Sequence, residues 1–246
     1  TRHTAGFAAN GGESGPGALL RAADPMNREN TLAQMAEKLG RVPPLFHPGD
    51  RWLYGLSVDV QAFLVERISG VPFGRYVQEQ IFQPLGMRET RYFVPESDRG
   101  RFAAIFQRGE DGTLTQQPRE RSHAFNTNRW PLTPGGFGLT STLDDYMRFA
   151  RMLQNEGELD GARILRPETV RLMATDHLPE TVTDRSWLPG KGQVGFGIDF
   201  ASYNEGAVHP RARPALRRPG AGLGRALAPP RVALHHRPGH VRTRPV

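Results

Sequence analysis

Apolar residues recur with helical spacing in five stretches of the chain. In the first, they stand at i, i+3, i+4 and i+7, namely Leu32, Met35, Ala36 and Leu39. This spacing predicts a helix with one buried face. The predicted helices cover residues 31–39, 57–68, 73–82, 141–153 and 167–173.

Several of these helices carry recognisable caps and apolar stripes. Asn30 or Thr31 is expected to cap the first helix, Ser141 with Asp144 resembles a capping box for the fourth, and Pro167 suits the first position of the fifth. The residues expected to face the core are Val60, Phe63, Leu64 and Ile68 in the second helix, Val77 and Ile81 in the third, and Leu143, Tyr146, Met147, Ala150 and Leu153 in the fourth.

Strand patterns are fewer and shorter. Residues 102–106 and 113–117 flank the turn-rich sequence 109–112, which predicts a β-hairpin. Residues 194–200 alternate between apolar and smaller or polar side chains, which is typical of a strand. Residues 134–138, Pro-Gly-Gly-Phe-Gly, predict a loop.

Composition permits a globular protein and excludes some classes of site. The 246 residues are 37% hydrophobic, which is enough to fill a core, and no run approaches the roughly 20 apolar residues of a membrane helix. The absence of cysteine excludes disulfides and thiolate metal sites. No cofactor or metal is expected, and the compartment stays open, with the cytoplasm slightly favoured over the periplasm.

The basic charge of the chain is confined to its C-terminal segment. Residues 207–246 contain nine arginines and no lysine, aspartate or glutamate, and removing these nine charges from the net +7 leaves −2 for residues 1–206. Proline recurs too often there for a regular helix or a central strand. We therefore divide the chain into a folded part, residues 1–205, and an irregular tail, residues 206–246.

Two interpretations of the tail stay open. A basic arm could bind phosphate backbones, but the aromatic residues that stack on bases are missing, which makes a nucleic acid partner unlikely. Alternatively, the residue types present all have GC-rich codons, as in a GC-rich gene read out of frame. The glycine-rich sequence 220–224 and the histidines 235, 236 and 240 are attributed to this composition and not to a nucleotide or metal site.

Common catalytic motifs are absent from the chain. There is no Gly-x-Ser-x-Gly, no phosphate loop and no His-Glu-x-x-His. The motif Ser-x-x-Lys is also absent: the residues three positions before the two lysines, Lys38 and Lys191, are Met35 and Leu188 and not serine. The histidines 47, 123 and 177 are expected on the surface or in loops, and Tyr54 taken alone predicts only a packing residue.

Several blocks in a consistent order resemble one family. They are His3-Thr4-Ala5-Gly6-Phe7, the segment from Pro44 through Trp52 and Tyr54 to Gly70, Phe73 to Met87, Gly135 to Leu153, Gly157 to Gly161 and Leu165-Arg166-Pro167. Together they resemble the serine hydrolase superfamily of class C β-lactamases, penicillin-binding DD-peptidases and related carboxylesterases. The resemblance covers residues 1 to about 203.

The resemblance implies an α+β fold of the β-lactamase/transpeptidase type, represented mostly by its helical domain with an incomplete antiparallel sheet. It implies an acyl-enzyme mechanism on a small-molecule ester or amide, in which a serine and lysine of Ser-x-x-Lys act with a tyrosine. That tyrosine corresponds to Tyr54, the single catalytic candidate in this chain. The serine and lysine are expected upstream of Thr1, so this chain alone is expected to be inactive.

One departure from the family pattern bears on the substrate. Tyr54-Gly55-Leu56 lacks the asparagine that β-lactamases and DD-peptidases carry two residues after the tyrosine. This favours ester hydrolysis, while β-lactam and D-amino-acid amide substrates remain alternatives. A non-catalytic module with a nucleic-acid-binding tail is the alternative from another class.

Overall fold

The computed structural model describes residues 3–7, 12–182, 194–198 and 201–203. Its helices are α1 (Gly15–Ala23), α2 (Leu32–Gly40), α3 (Ser57–Ser69), α4 (Phe73–Val77), α5 (Arg119–Ser122), α6 (Ala124–Thr127), α7 (Leu143–Gln154) and α8 (Pro167–Ala174), with a π-helix at Gln78–Phe82 and a 3₁₀-helix at Glu96–Arg101. Its strands are β1 (Phe106–Arg108), β2 (Leu114–Gln116), β3 (Glu158–Leu159), β4 (Ala162–Arg163), β5 (Val194–Phe196) and β6 (Ala201–Tyr203).

The described strands form three separate antiparallel hairpins, β1–β2, β3–β4 and β5–β6. The hairpin expected around residues 109–112 is confirmed, but its first strand begins at Phe106 and not at Phe102. The strand expected over residues 194–200 is present but shorter, at Val194–Phe196, and it pairs with β6, with Val194 opposite Tyr203. With the helices, these short hairpins give the expected α+β class.

Helix α2 agrees closely with its sequence pattern. Thr31 is the cap: its side chain accepts a hydrogen bond from the Gln34 amide at 3.2 Å, and the Gln34 side chain accepts one from the Thr31 amide at 2.8 Å. This reciprocal pair is a capping box. The helix contributes Leu32, Met35 and Leu39 to a core cluster whose other buried members are Leu20, Val42, Ala62 and Leu132.

Helix α3 was expected to bury a different face. Val60 and Phe63 do pack against the first core cluster, but Leu64 is 46% exposed and Ile68 is 85% exposed. The most buried residues are Ser57, Asp59 and Ala62. The expected face is wrong in this half because the glycine-rich loop at residues 134–138 packs against the opposite side of α3.

The segment after α3 was expected to be one helix from Phe73 to Phe82. The structure instead has α4 followed directly by the π-helix, and both Val77 and Phe82 are buried. A π-helix shifts the side-chain direction of the residues that follow it, so Phe82 enters the core and Ile81 packs at its edge. The second core cluster consists of Val77, Phe82, Leu85, Met87, Met152, Leu153 and Leu159.

Helix α7 exists where expected, but its cap and buried stripe differ. Thr142 and not Ser141 is the cap, accepting from the Asp145 amide at 3.2 Å. Leu143 is 76% exposed and Met147 is 47% exposed, whereas Leu153 is buried as expected. The stripe shifts because the inward side of the first turn carries Asp145, whose carboxylate accepts hydrogen bonds from the Thr90 hydroxyl and the Glu89 amide.

Helix α8 begins at Pro167 as expected, whereas α1 and the β3–β4 hairpin were not anticipated by the patterns. The tail at residues 206–246 lies outside the described residues, together with the glycine-rich sequence 220–224 and the three tail histidines. Their interpretation, and the domain boundary at 205, therefore stay predictions.

Candidate active site

Tyr54 lies in the segment that leads into α3, three residues before the helix begins. The N-terminal residues run alongside this segment and hold it through backbone hydrogen bonds. The Leu45 amide donates to the Gly6 oxygen at 2.9 Å, the Gly49 amide to Thr4 at 2.8 Å and the Leu53 amide to His3 at 2.8 Å. Tyr54 itself is 60% exposed, so its ring is accessible to a small molecule.

His3 is buried beneath Tyr54, with 2% of its surface exposed. Its ring centroid lies 4.6 Å from that of Tyr54, and Trp52 and Phe196 each lie 5.6 Å away in edge contacts. Its Nδ1 accepts a hydrogen bond from the Gly55 amide at 3.3 Å. Sequence reasoning used His3 only as part of a family block and missed this contact, because 52 residues separate the partners.

Burial also keeps His3 uncharged. Loss of solvation lowers the pKa of the His3 imidazole from 6.5 to about 4, with a smaller contribution from the amino-terminal charge. At neutral pH it therefore supplies no positive charge to the Tyr54 phenol, whose ordinary pKa is near 10.

Of the two lysines in the chain, one lies within the described structure. Lys38 lies in α2, and its Nζ donates to the Asn30 side chain at 2.8 Å. Lys191 lies outside the described residues. This agrees with the sequence, in which neither lysine belongs to a Ser-x-x-Lys motif.

The first turns of α3 hold the glycine-rich loop at residues 134–138. The Asp59 carboxylate is 4% exposed and accepts a hydrogen bond from the Gly136 amide at 3.0 Å. A Cβ at position 135 would lie 2.3 Å from the Val58 oxygen, so only glycine permits this approach. The loop therefore packs against the same end of α3 that Tyr54 precedes.

Further hydrogen bonds fix this loop along its length. The Tyr92 hydroxyl donates to the Pro134 oxygen at 2.5 Å, and the Asn126 side chain donates to the Gly138 oxygen at 2.6 Å. Burial raises the pKa of Tyr92, which keeps its phenol protonated as a donor. Held in this way, the loop leaves the side chain of Phe137 40% exposed.

Replacing Asp59 with Asn should change how stability depends on pH. Burial raises the pKa of Asp59 above 3.8, although the amides of Gly135 and Gly136 oppose the shift. The Asp59 carboxyl therefore binds a proton more readily in the folded state than in the unfolded state. The protonated carboxyl stabilises the fold, and this stabilisation is lost as pH rises through the pKa of the folded state. Urea unfolding from pH 3 to pH 7 should show the free energy of wild type minus that of Asp59→Asn falling with pH. A difference that rises with pH would contradict this.

The histidines predicted to lie on the surface or in loops differ from one another. His47 is exposed, and the His177 Nε2 lies 2.7 Å from the Leu172 oxygen. His123 is instead buried between α5 and α6, where its ring stacks on Phe102 at 4.3 Å. His123 thus has the expected loop position, in the turn between the two helices, but it is not on the surface, because its ring stacks on Phe102 and contacts the Ala103 oxygen.

A separate cleft of about 580 Å³ lies near the other end of α3. Its lining includes Glu66, Arg75, Gln78, Arg91 and Arg129, and does not include Tyr54. Among the residues that the structure describes, no group of three or more histidine or acidic side chains is placed to hold a metal ion. Within the same residues, no helix has the length and apolar character of a membrane span.

The match of a family model to nearly the whole chain places it in the β-lactamase/transpeptidase-like serine hydrolase superfamily. The model of the beta-lactamase family matches residues 1–236. The chain belongs to this family, as its sequence blocks indicated.

Two curated relatives match most of this chain's length but only part of their own. Protein Rv1367c of Mycobacterium tuberculosis is 34% identical over 229 residues, which are 90% of this chain and 53% of that protein. Lovastatin esterase of Penicillium rubens is 29% identical over 154 residues, which are 62% of this chain and 37% of that enzyme. The chain thus spans about half the length of Rv1367c and less of the esterase.

A solved structure shares the fold. Simvastatin synthase LovD from Aspergillus terreus superposes with a TM-score of 0.59 at 27% sequence identity. The match covers 81% of this chain and 51% of that enzyme.

Proposed function

We propose that this chain is part of a serine hydrolase that cleaves carboxylic esters through an acyl-enzyme. The observation that carries the proposal is Tyr54, an accessible phenol held against a buried His3 at the start of α3. Membership of the beta-lactamase family and the relative named an esterase support the substrate class.

In this mechanism Tyr54 moves a proton to and from the serine nucleophile. Attack by the serine oxygen on the ester carbonyl requires its proton to leave, and an unassisted phenol with a pKa near 10 is seldom ionised at neutral pH. A neighbouring ammonium favours the phenolate, which is why the family's lysine and tyrosine act together. The same phenol then returns the proton to the alcohol that leaves, and water hydrolyses the acyl-enzyme.

Tyr54 is the part of this machinery that the chain contains. We infer that the serine and lysine belong to a Ser-x-x-Lys motif encoded upstream of Thr1. A later glycine-rich strand would supply an oxyanion donor, and we infer that it is encoded downstream of Phe200, in a shifted frame if the tail is misread.

The test is expression of the gene together with its flanking DNA. The product of the complete reading frame should hydrolyse p-nitrophenyl butyrate faster than nitrocefin or a D-alanyl amide. A fluorophosphonate should label one serine, located upstream of Thr1. A product that shows no serine labelling, or that prefers nitrocefin, would contradict the proposal.

A further inference from the structure

Two hydrogen bonds from the residues on either side of Tyr54 end on His3. The Leu53 amide donates to the His3 backbone oxygen at 2.8 Å, and the Gly55 amide donates to His3 Nδ1 at 3.3 Å. The His3 ring also lies under the Tyr54 ring, 4.6 Å between centroids and tilted by 32°. One residue therefore fixes the backbone before and after Tyr54 and supports its side chain.

The bond to Gly55 identifies which ring nitrogen of His3 carries the hydrogen. A backbone amide can only donate, so Nδ1 must be the acceptor and carry no hydrogen. The neutral ring then has its hydrogen on Nε2. In the imidazolium both nitrogens are donors, so protonation at Nδ1 would oppose two donors and break the bond to Gly55.

The surroundings of His3 favour the neutral ring. The described side chains in ring contact with it are Trp52, Tyr54 and Phe196, of which Tyr54 alone titrates. Asp50 and Arg51, on the same segment as Tyr54, are exposed. The pKa of His3 is lowered to about 4 in the folded state, whereas in the unfolded state the ring is protonated below about pH 6.5. Stability that depends on His3 is thus lost as the pH falls from 6.5 towards 4.

We propose that neutral His3 is the positioning residue for Tyr54, and that its protonation releases the segment from Leu53 to Gly55. This rests on the proposed role of Tyr54 in proton transfer. His3 is then a second group of the site, which does not react but determines the position of the Tyr54 phenol.

Two substitutions at position 3 remove the hydrogen bond to Gly55 and the ring contact with Tyr54 separately. His3→Asn retains an acceptor near the position of Nδ1 but removes the ring, and asparagine tolerates the positive φ of 58° at this residue. His3→Phe retains a ring but leaves the Gly55 amide without its acceptor. His47→Asn, an exposed histidine of the neighbouring segment, is the matched control.

Hydrogen exchange of the Gly55 amide tests the positioning contact directly in the 246-residue chain. At pH 7 we expect its protection to persist in His3→Asn and His47→Asn and to fall about tenfold in His3→Phe, as expected for the loss of one hydrogen bond. The Gly49 amide, which donates to Thr4, should stay protected in all variants and so report that the fold persists. Equal Gly55 protection in wild type and His3→Phe would overturn the proposal.

A pH titration of the unmodified protein tests the release without any substitution at position 3. In 3-fluorotyrosine-labelled protein, the Tyr54 fluorine resonance should change near pH 4 while the Tyr146 resonance stays constant. Unfolding of the whole chain would instead move Tyr146 as well. A Tyr54 transition that is absent, that coincides with Tyr146, or that has the same midpoint in His3→Asn would overturn the proposal.

These readouts are independent of catalysis. If they hold but Tyr54→Phe leaves the complete enzyme active, the proposed catalytic role of Tyr54 fails and the contact with His3 stands. If Tyr54→Phe inactivates the enzyme but the exchange protection of the Gly55 amide is the same in wild type and in His3→Phe, only the positioning role of His3 fails.

Discussion

The 246-residue chain, expressed alone, is expected to hydrolyse p-nitrophenyl butyrate no faster than buffer does. It contains no Ser-x-x-Lys, Lys38 is bound to Asn30, and His3 is neutral and lies beneath the tyrosine. The nucleophile motif on which the proposed mechanism depends is therefore absent from this sequence. In subtilisin, losing the nucleophile or its base costs on the order of 10⁶ in rate.

The measurement is initial velocity at matched concentrations of the chain and of the complete enzyme, from pH 6 to pH 9. The Gly49 amide should remain protected from exchange in the isolated chain, which separates absence of turnover from absence of a fold. Ester hydrolysis by the chain that exceeds the buffer rate and disappears in Tyr54→Phe would contradict the expectation.

Sequence predicted those elements whose signals are local. The capping box of α2 joins Thr31 to Gln34 across three residues, and Pro167 marks the start of α8 within a single position. A cap at Asn30 or Thr31 and a helix start at Pro167 were predicted because no distant contact is needed to explain them. The glycine turn of the β1–β2 hairpin is local in the same sense.

The buried faces of α3 and α7 depend on distant partners and were therefore partly wrong. Asp59 faces inward because it binds the Gly136 amide 77 residues away, and Asp145 because it binds the Thr90 hydroxyl 55 residues away. A hydrophobic pattern assigns both aspartates to the surface. The same pattern therefore assigns Ile68 of α3 and Leu143 of α7 to the buried faces, although both are exposed in the structure.

In the candidate site, too, one residue could be predicted from the sequence and the other depends on distant contacts. Tyr54 was found because the blocks around it resemble a family, and no periodicity marks it as more than a packing residue. His3 was within a quoted block, but its role follows from contacts with Gly55 and with the rings of Trp52 and Phe196. The one available signal was a histidine three residues before a glycine, which does not by itself indicate a contact 52 residues away.

In the complete enzyme, Tyr54→Phe is expected to lower kcat/KM for p-nitrophenyl butyrate by about 10² to 10⁴, the usual contribution of a positioned acid–base group. This corresponds to about 3–5 kcal/mol of transition-state stabilisation. The phenylalanine ring keeps the contact with His3, and Tyr54 is 60% exposed, so stability should change by less than about 1 kcal/mol. The loss should appear mainly in kcat, since the hydroxyl acts in proton transfer and not in binding.

Tyr146→Phe is the matched control, because Tyr146 is a partly buried tyrosine on α7 whose ring packs near Phe149. It should retain at least half of the wild-type kcat/KM. Fluorophosphonate labelling should slow in Tyr54→Phe and not in Tyr146→Phe, because acylation itself needs the proton transfer. A Tyr54→Phe enzyme with wild-type kcat and wild-type labelling would show that another group moves the proton, and Tyr54 would then revert to the packing role that its sequence position alone predicts.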